Sequence, residues 1–150
     1  MKVVILCGGQ GTRMREETEF RPKPLVNIGN HPILWHIMQT YAYHGHNDFV
    51  LCLGYKGEVI KDYFRNYRWN SHDVTVSLAS KQAPKFHAPD CAEDWKVSLV
   101  DTGLDSLTGW RVRSVRAHVG RGAFFLTYGD GVGDIDLRKL LSHHLSLIHI

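Results

Sequence analysis

The feature that most constrains the fold is the apolar run at residues 3–7 and the glycines that follow it. The run is short, rich in β-branched residues and without polar alternation, which is typical of a strand buried on both faces of a parallel sheet. The segment Gly8-Gly9-Gln10-Gly11-Thr12-Arg13 comes directly after it. Because ligands of such sheets bind at the carboxyl ends of the strands, this order predicts an α/β fold with a site after strand one.

Strand and helix patterns alternate along the rest of the chain. Strands are predicted at residues 49–53, 74–78, 97–100 and 124–128, the second of them nearer an edge. Helices are predicted at 31–43, 59–67, 111–119 and 137–145, and a loop at 81–94. In the first helix Pro32 suits the first helical position and Gly45 the stop. This order predicts a mostly parallel sheet with helices on both faces, in one domain.

Composition and charge exclude several classes of function. The net charge of +3 is small and the basic residues are scattered, so no nucleic-acid partner is expected. No apolar segment is long enough to span a membrane, and we expect a cytoplasmic protein. The three cysteines, Cys7, Cys52 and Cys91, form no CxxC pair, which argues against a zinc ribbon or a disulfide framework. Cys7 and Cys52 lie in apolar runs and are predicted to be small core residues.

The glycine-rich segment has the chemistry of a phosphate-binding loop. Three glycines in four positions, Gly8, Gly9 and Gly11, let backbone N–H groups approach an anion. Thr12 adds a hydroxyl, and Arg13 adds a planar fork of donors that suits phosphate oxygens. The segment lacks the ending of a P-loop and the third glycine of a dinucleotide fingerprint. The alternative interpretation is a turn that merely connects two elements.

Two charged residues in special backbone settings extend this prediction. Lys23 lies between Pro22 and Pro24, which hold the backbone extended and aim the ammonium group. Asp130 follows a predicted strand and has glycine on both sides, a setting in which a carboxylate can project into a site and bind Mg²⁺. Taken alone, each has a simpler explanation, an exposed loop lysine and a tight turn. Asp134 is a weaker metal candidate, better explained as the cap of the next helix.

In combination these motifs resemble the sugar-phosphate nucleotidyltransferases, which join a sugar 1-phosphate to a nucleoside triphosphate and release pyrophosphate. Gly8–Arg13 followed by Pro22-Lys23-Pro24 is similar to the signature of that family. Further segments look like its glucose-1-phosphate cytidylyltransferase branch: Glu16-Glu17-Thr18, Trp35-His36-Ile37-Met38, Gly54-Tyr55-Lys56-Gly57, Val100-Asp101-Thr102-Gly103 and Tyr128-Gly129-Asp130-Gly131. The resemblance runs from residue 1 to about residue 144 and implies the nucleotide-diphospho-sugar transferase fold, a Rossmann-like architecture.

The resemblance also implies roles for individual residues. The nucleotide would be held by Gly8, Gly9, Gly11, Thr12 and Arg13. Arg13 and Lys23 would act on the reacting phosphates, and Lys23, Thr108 and Arg111 would contact substrate. Asp130 would bind magnesium. The implied partners are CTP and glucose 1-phosphate, with CDP-glucose and pyrophosphate as products, and a homo-oligomer at full length. Left open are a nucleotidyltransferase that uses UTP, dTTP or GTP, and a non-catalytic nucleotide-binding module of the same fold.

The C-terminal end departs from this pattern. Members of the family are much longer than 150 residues, so residues 1–144 are expected to be the N-terminal part of a truncated nucleotidyltransferase domain. Residues 145–150 resemble the translated end of a sequencing adapter and are expected to be a non-native tail. The chain alone is expected to be inactive, because the sugar pocket and a second magnesium aspartate lie beyond it in the family.

Overall fold

Parallel strands form the centre of the molecule. The computed structural model describes residues 1–9, 21–79, 82–87 and 93–147. The strands are β1 (Lys2–Leu6), β2 (Asn27–Ile28), β3 (His31–Pro32), β4 (Asp48–Leu53), β5 (Asp73–Thr75), β6 (Lys85–His87), β7 (Lys96–Asp101) and β8 (Phe125–Tyr128). The helices are α1 (Ile33–Tyr43), α2 (Gly57–Arg65), α3 (Tyr67–Ser71), α4 (Thr108–Ser114), α5 (Arg116–Val119) and α6 (Leu137–Leu147), with a 3₁₀ turn at Lys23–Leu25.

Within the described residues the main sheet has the order β7-β4-β1-β8, and its strands are parallel. Ile5 in β1 lies opposite Leu51 in β4 and Thr127 in β8. The two central strands are apolar on both faces because helices cover both sides of a parallel sheet. The predicted strands at 3–7, 49–53 and 97–100 are therefore confirmed to within a residue or two at each end.

The core has one part on each face of the sheet. On one face, α1, α2 and α6 pack on alternate strand residues, and the largest fully buried side chains there include Phe49, Ile5, Leu34, Met38, Leu51 and Ile60. On the other face, Val115 between α4 and α5 packs on Val4, Leu6, Val50 and Cys52. The predicted arrangement, a mostly parallel sheet with helices on both faces, is confirmed. Cys7 and Cys52 are core residues, as predicted, with at most 1% of their surface exposed.

The first long helix begins two residues later than predicted. His31 and Pro32 form β3, which pairs with β2 across a turn at Gly29, where φ is +63°. Pro32 is the N-cap with extended backbone, one position before the first helical residue. The stop is correct, because Gly45 follows the C-cap His44 with φ of +80°, a conformation that glycine adopts readily.

Other parts of the element prediction are only partly correct. The predicted strand at 74–78 is present as the shorter β5, but it lies outside the main sheet and pairs with β6, which forms within the predicted loop; Phe86 of β6 lies 5.3 Å from Trp69 between ring centroids. The predicted strand at 124–128 is present as β8, but only Phe125 is buried, and Leu126 and Tyr128 are 47% and 62% exposed, because among the described strands only β1 pairs with it. The helix predicted at 111–119 starts at Thr108 and breaks at Val115 into α4 and α5.

The last helix has a different cap from the one predicted. Asp136, not Asp134, accepts hydrogen bonds from the backbone N–H groups of Arg138 and Lys139, at 3.0 and 3.2 Å. These bonds lower the pKa of the Asp136 carboxyl. The helix continues to Leu147, past the boundary at residue 144, so the separate status of residues 145–150 stays a prediction. None of the described helices is long and apolar enough to cross a membrane.

Candidate active site

The ends of the parallel strands bring the predicted motifs together. Gly8 follows β1, Gly54 follows β4, Thr102 follows β7 and Gly129 follows β8. Backbone bonds tie these ends to one another: the Cys7 N–H donates to Cys52 O at 2.9 Å, and the Gly129 N–H donates to Leu6 O at 3.0 Å. Segments far apart in sequence thus meet at the carboxyl edge of the sheet, where α/β proteins bind ligands.

A cavity of about 340 Å³ opens at this edge. Every predicted site residue that the structure describes lines it: Gly8, Gly9, Lys23, Thr108, Arg111 and Asp130. Gly11, Thr12 and Arg13 lie outside the described residues. A larger groove of about 800 Å³ lies beside α2 and α3, but none of the six residues above lines it. The smaller cavity is the better candidate because it gathers the charged groups and the glycines that phosphate chemistry needs.

One wall of the cavity carries an ion pair. Lys23 Nζ lies 3.3 Å from Asp130 Oδ2, and the two residues are 107 positions apart in sequence. The side chains are 24% and 41% exposed, so water and ligands can reach both. Pro22 is extended with ψ of 145°, but Lys23–Leu25 form a 3₁₀ turn, so the prediction that the two prolines hold the backbone extended around Lys23 is wrong. Because both groups are partly exposed, the lysine can give up the carboxylate and bind phosphate oxygens, and the carboxylate can then bind a cation.

Gly129 brings Asp130 close to the first strand. A Cβ atom at Gly129 would lie 2.8 Å from Cys7 Sγ and 3.1 Å from Leu6 O. It would also lie 3.2 Å from Pro24 Cγ, next to Lys23. Only glycine therefore lets the turn after β8 approach β1 and the Lys23 segment together. This contact is the structural reason that the carboxylate and the ammonium group meet.

The opposite wall carries Arg111, which is only 6% exposed. Its Nη1 donates to Leu53 O at 3.0 Å and to Thr102 Oγ1 at 2.7 Å. Its Nη2 donates to Gly8 O at 3.2 Å and to Leu104 O at 3.0 Å. The guanidinium thus lines the cavity while its four Nη hydrogens point at protein acceptors.

Sequence reasoning missed Thr102 as an individual residue. Its side chain is buried, and Oγ1 donates to Leu53 O at 2.7 Å while it accepts from Arg111. Ser106 and Tyr128 also line the cavity without having been predicted. A polar residue directly after an apolar strand is the signal that could have identified Thr102. Its partners could not have been inferred, because Leu53 lies on another strand and Arg111 on a helix.

Each wall has a buried thiol beside it. Burial raises the pKa of Cys7 well above its ordinary value, and the nearby charges of Cys52 and Asp130 raise it further. Burial raises the pKa of Cys52 to about 11, and the positive charge of Arg111 partly opposes that shift. Both thiols therefore stay protonated at neutral pH and are unsuited to act as nucleophiles.

Asp130 is the one predicted metal ligand, and its setting suits magnesium rather than a structural metal. Among the described residues, no three or more His, Cys, Asp or Glu side chains gather into a metal-binding group. Magnesium in nucleotide sites often takes only one or two carboxylates and completes its shell with phosphate oxygens and water. Lys23 occupies one oxygen of the Asp130 carboxylate from a partly exposed position, so the group present fits that mode.

Comparison with known proteins agrees with this geometry. The profile of the family described as "Nucleotidyl transferase" matches residues 2–100. The chain therefore belongs to the nucleotidyl transferase family. The crystal structure of HddC from Yersinia pseudotuberculosis, complexed with GMP-PN, has the same fold, with a TM-score of 0.67 and 23% identity over 96% of this chain and 54% of that one.

Two curated relatives are more similar in sequence. The glucose-1-phosphate cytidylyltransferase of Salmonella typhimurium is 50% identical over 145 residues, which cover 96% of this chain and 56% of the relative. A Bacillus subtilis protein described as a probable glucose-1-phosphate cytidylyltransferase is 48% identical over 144 residues, with the same coverage. The chain thus spans about half the length of the curated relatives it matches.

Proposed function

We propose that the cavity at the carboxyl edge of the sheet binds a nucleoside triphosphate and a sugar 1-phosphate for nucleotidyl transfer. The observation that carries this proposal is the convergence of Gly8, Lys23, Thr108 and Asp130 on one cavity from four separate segments. An enzyme is favoured over a non-catalytic nucleotide-binding module by the match to the nucleotidyl transferase family and by the similarity to two curated cytidylyltransferases.

The reaction is an in-line displacement. An oxygen of the sugar 1-phosphate attacks the α-phosphorus of the triphosphate, a new P–O bond forms, and the bond to the leaving pyrophosphate breaks. Negative charge grows on the oxygens around the α-phosphorus, and positioned cations stabilise it. We assign this role to Lys23 and, outside the described residues, to Arg13. Backbone N–H groups of Gly8, Gly9 and Gly11 and the hydroxyl of Thr12 hold the triphosphate, and Thr108 contacts substrate.

Asp130 is the proposed ligand of a magnesium ion. The ion would supply charge neutralisation for the triphosphate when bound. In the free protein Lys23 pairs with the same carboxylate. We infer that Lys23 leaves Asp130 and turns to the phosphates when the nucleotide and its cation arrive together. Lys23 and Asp130 thus neutralise each other before substrate binds and change partners on binding.

CTP and glucose 1-phosphate are the proposed substrates, with CDP-glucose and pyrophosphate as products. The support is the 50% and 48% identity to the two curated relatives, which exceeds the similarity that a shared fold alone requires. We place the activity in the cytoplasm, where nucleoside triphosphates are available. The homo-oligomer implied by the resemblance stays a prediction, as do the boundary at residue 144 and the inactivity of the 150-residue chain.

The test is pyrophosphate release. Residues 1–144 are joined to the part of the Salmonella typhimurium relative that follows its matched region, and the 150-residue chain is assayed beside this chimera. The chimera is expected to turn over with CTP and glucose 1-phosphate at least tenfold faster than with UTP, dTTP, ATP or GTP. The 150-residue chain is expected to show no turnover. A chimera that prefers another nucleotide would overturn the cytidylyl assignment and leave the family intact.

A matched pair of variants tests the role of Lys23. Lys23→Ala should lower turnover of the chimera by about 10²-fold, the size of effect seen when one charge-stabilising donor is lost. Lys61→Ala, on the exposed face of α2, should leave turnover unchanged. Equal turnover in the two variants would remove Lys23 from the reaction.

A further inference from the structure

We propose that Arg111 is a positioning residue, and that its guanidinium holds the carboxyl ends of β1, β4 and β7 together so that the phosphate loop leaves the sheet at the correct place. This inference rests on the proposed function of the cavity. It gives Arg111 a different task from the substrate contact that the family resemblance implies.

The hydrogen bonds of the guanidinium join the ends of several strands. Three of its four acceptors, Gly8 O, Leu53 O and Thr102 Oγ1, each follow or end a different parallel strand. The fourth, Leu104 O, belongs to the loop that leads to α4. One side chain therefore ties three strand ends to the segment that carries Thr108.

The Nη donors of Arg111 already have acceptors within the protein. A guanidinium has five N–H donors, and the four on Nη1 and Nη2 point at these acceptors. Among the described residues no carboxylate forms an ion pair with Arg111, so carbonyl oxygens surround the buried charge. A phosphate could take the Nη groups only if these bonds broke. Arg111 therefore acts on a ligand through the backbone that it holds.

Two glycines lie directly against the guanidinium of Arg111. A Cβ atom at Gly8 would lie 2.1 Å from Arg111 Nη1 and 2.4 Å from Cζ. A Cβ atom at Gly54 would lie 2.5 Å from Nη1 and 2.8 Å from Gly8 O. The guanidinium thus occupies the space that side chains at both positions would need. Gly8 is the first residue of the phosphate loop, so the same contact that excludes a Cβ also places the start of that loop.

The experiment is a double-mutant cycle on the 150-residue chain with urea unfolding as the readout. Gly8→Ala should lower the urea midpoint in the parent. In an Arg111→Met background the same change should cost much less, because all three atoms nearest the new Cβ belong to the arginine side chain. Gly54→Ala should not be rescued in this way, because Gly8 O remains 2.8 Å from its Cβ. An equal cost of Gly8→Ala in both backgrounds would overturn the proposal.

A second comparison applies if Arg111→Met does not fold. Gly8→Ala and Gly9→Ala are neighbouring changes of the same size, but a Cβ at Gly9 meets no atom of the described residues within 4 Å. The first should destabilise the parent, and the second should leave the urea midpoint unchanged. Equal midpoints would show that the guanidinium does not occupy the space beside Gly8.

The positioning role is tested by the affinity for CTP in the presence of Mg²⁺. Arg111→Lys keeps the charge but cannot reach four acceptors, so it should weaken binding by about tenfold or more through the misplaced loop. Arg113→Lys, on the exposed side of the same helix, is the control and should bind like the parent. Normal affinity of Arg111→Lys would overturn the positioning role, because a lysine cannot hold the four acceptors in place. A parent that binds no nucleotide would count against the proposed function, while the unfolding cycle would still decide the role of Arg111.

Discussion

The two walls of the cavity each carry a cation, and the cations differ in nearly every physical respect. Arg111 is buried, and four hydrogen bonds of 2.7–3.2 Å hold it against neutral acceptors. Lys23 is partly exposed, and its ionic partner among the described residues is Asp130, at 3.3 Å. The same charge is therefore part of the scaffold on one side and available for exchange on the other.

The comparison shows that the type of a residue does not by itself identify its role in a site. An arginine close to a phosphate loop is readily taken for a phosphate ligand, and the family resemblance implies a substrate contact for Arg111. From the burial and the hydrogen bonds we infer a different role for its Nη groups, because breaking several charge-assisted bonds to bind one ligand is unfavourable. Lys23 meets no such obstacle, since its single exchangeable pair costs little to break.

The largest expected effect is on stability when the buried cation is removed. Arg111→Met should lower the free energy of unfolding by about 2–4 kcal/mol, because hydrogen bonds to a charged group are lost inside the protein. Arg113→Met on the exposed side of α4 should change it by about 0.5 kcal/mol or less. Urea unfolding of both variants measures the difference. If the two variants unfolded alike, Arg111 would not belong to the scaffold.

A smaller effect on stability is expected at Gly129, where the wall that carries the Lys23–Asp130 pair contacts the end of β1. Gly129→Ala should destabilise the protein by about 1–3 kcal/mol, because its Cβ would overlap Cys7 Sγ and approach Leu6 O. Gly131→Ala, on the other side of Asp130, meets nothing within 4 Å in the part of the chain that the structure describes and serves as the matched control. Thermal unfolding of the two variants, together with Mg²⁺-dependent CTP binding, tests whether this contact also places Asp130. Equal midpoints for the two alanine variants would contradict the close approach of the turn to β1.

Alkaline pH should reveal the buried thiols that lie beside the two walls. Both have a pKa in the folded chain above the ordinary value of 9.0, Cys52 at about 11. Above pH 9 the unfolded chain releases these protons and the folded chain keeps them, so unfolding is favoured. The contribution of the thiols to stability should therefore be constant below about pH 9 and fall as the pH rises, by on the order of 1 kcal/mol per pH unit for one thiol.

The control for this pH dependence is Cys7→Ala, measured by urea unfolding at pH 7, 9 and 10. The variant loses one of the two titrating thiols, so its stability should fall less steeply between pH 9 and 10 than that of the parent. The same slope in parent and variant would show that Cys7 ionises in the folded protein.

The smallest effect on stability is expected for the exposed cation. Lys23→Met should change the free energy of unfolding by about 1 kcal/mol or less, because a partly exposed ion pair contributes little. Its nucleotide affinity should fall and should become less sensitive to salt, since a charge that acts directly on phosphate is lost. A large loss of stability in Lys23→Met would erase the contrast between the two walls.

Much of the fold could be predicted from the sequence because the signals are local. The strands at β1, β4 and β7 are short apolar runs, and α1 has an apolar stripe that ends at Gly45. The predictions for β6 and for the burial of β8 failed, because both depend on which strands pair with these segments. The strand β6 is three residues long and exists through its pairing with β5, and the exposure of β8 follows from its place at the edge of the described sheet.

Local sequence signals were sufficient to predict the fold class, the glycine-rich loop and the importance of Lys23 and Asp130. The contacts of Lys23 with Asp130, 107 positions apart, and of Arg111 with Gly8, 103 positions apart, follow from the packing of the folded chain. The two kinds of information act over different distances along the chain. Periodicity and backbone preference act between near neighbours along the chain, whereas burial and hydrogen-bond partners depend on which segments pack together. Whether an arginine stabilises the fold or binds a ligand depends on the hydrogen-bond acceptors that surround it in the folded protein.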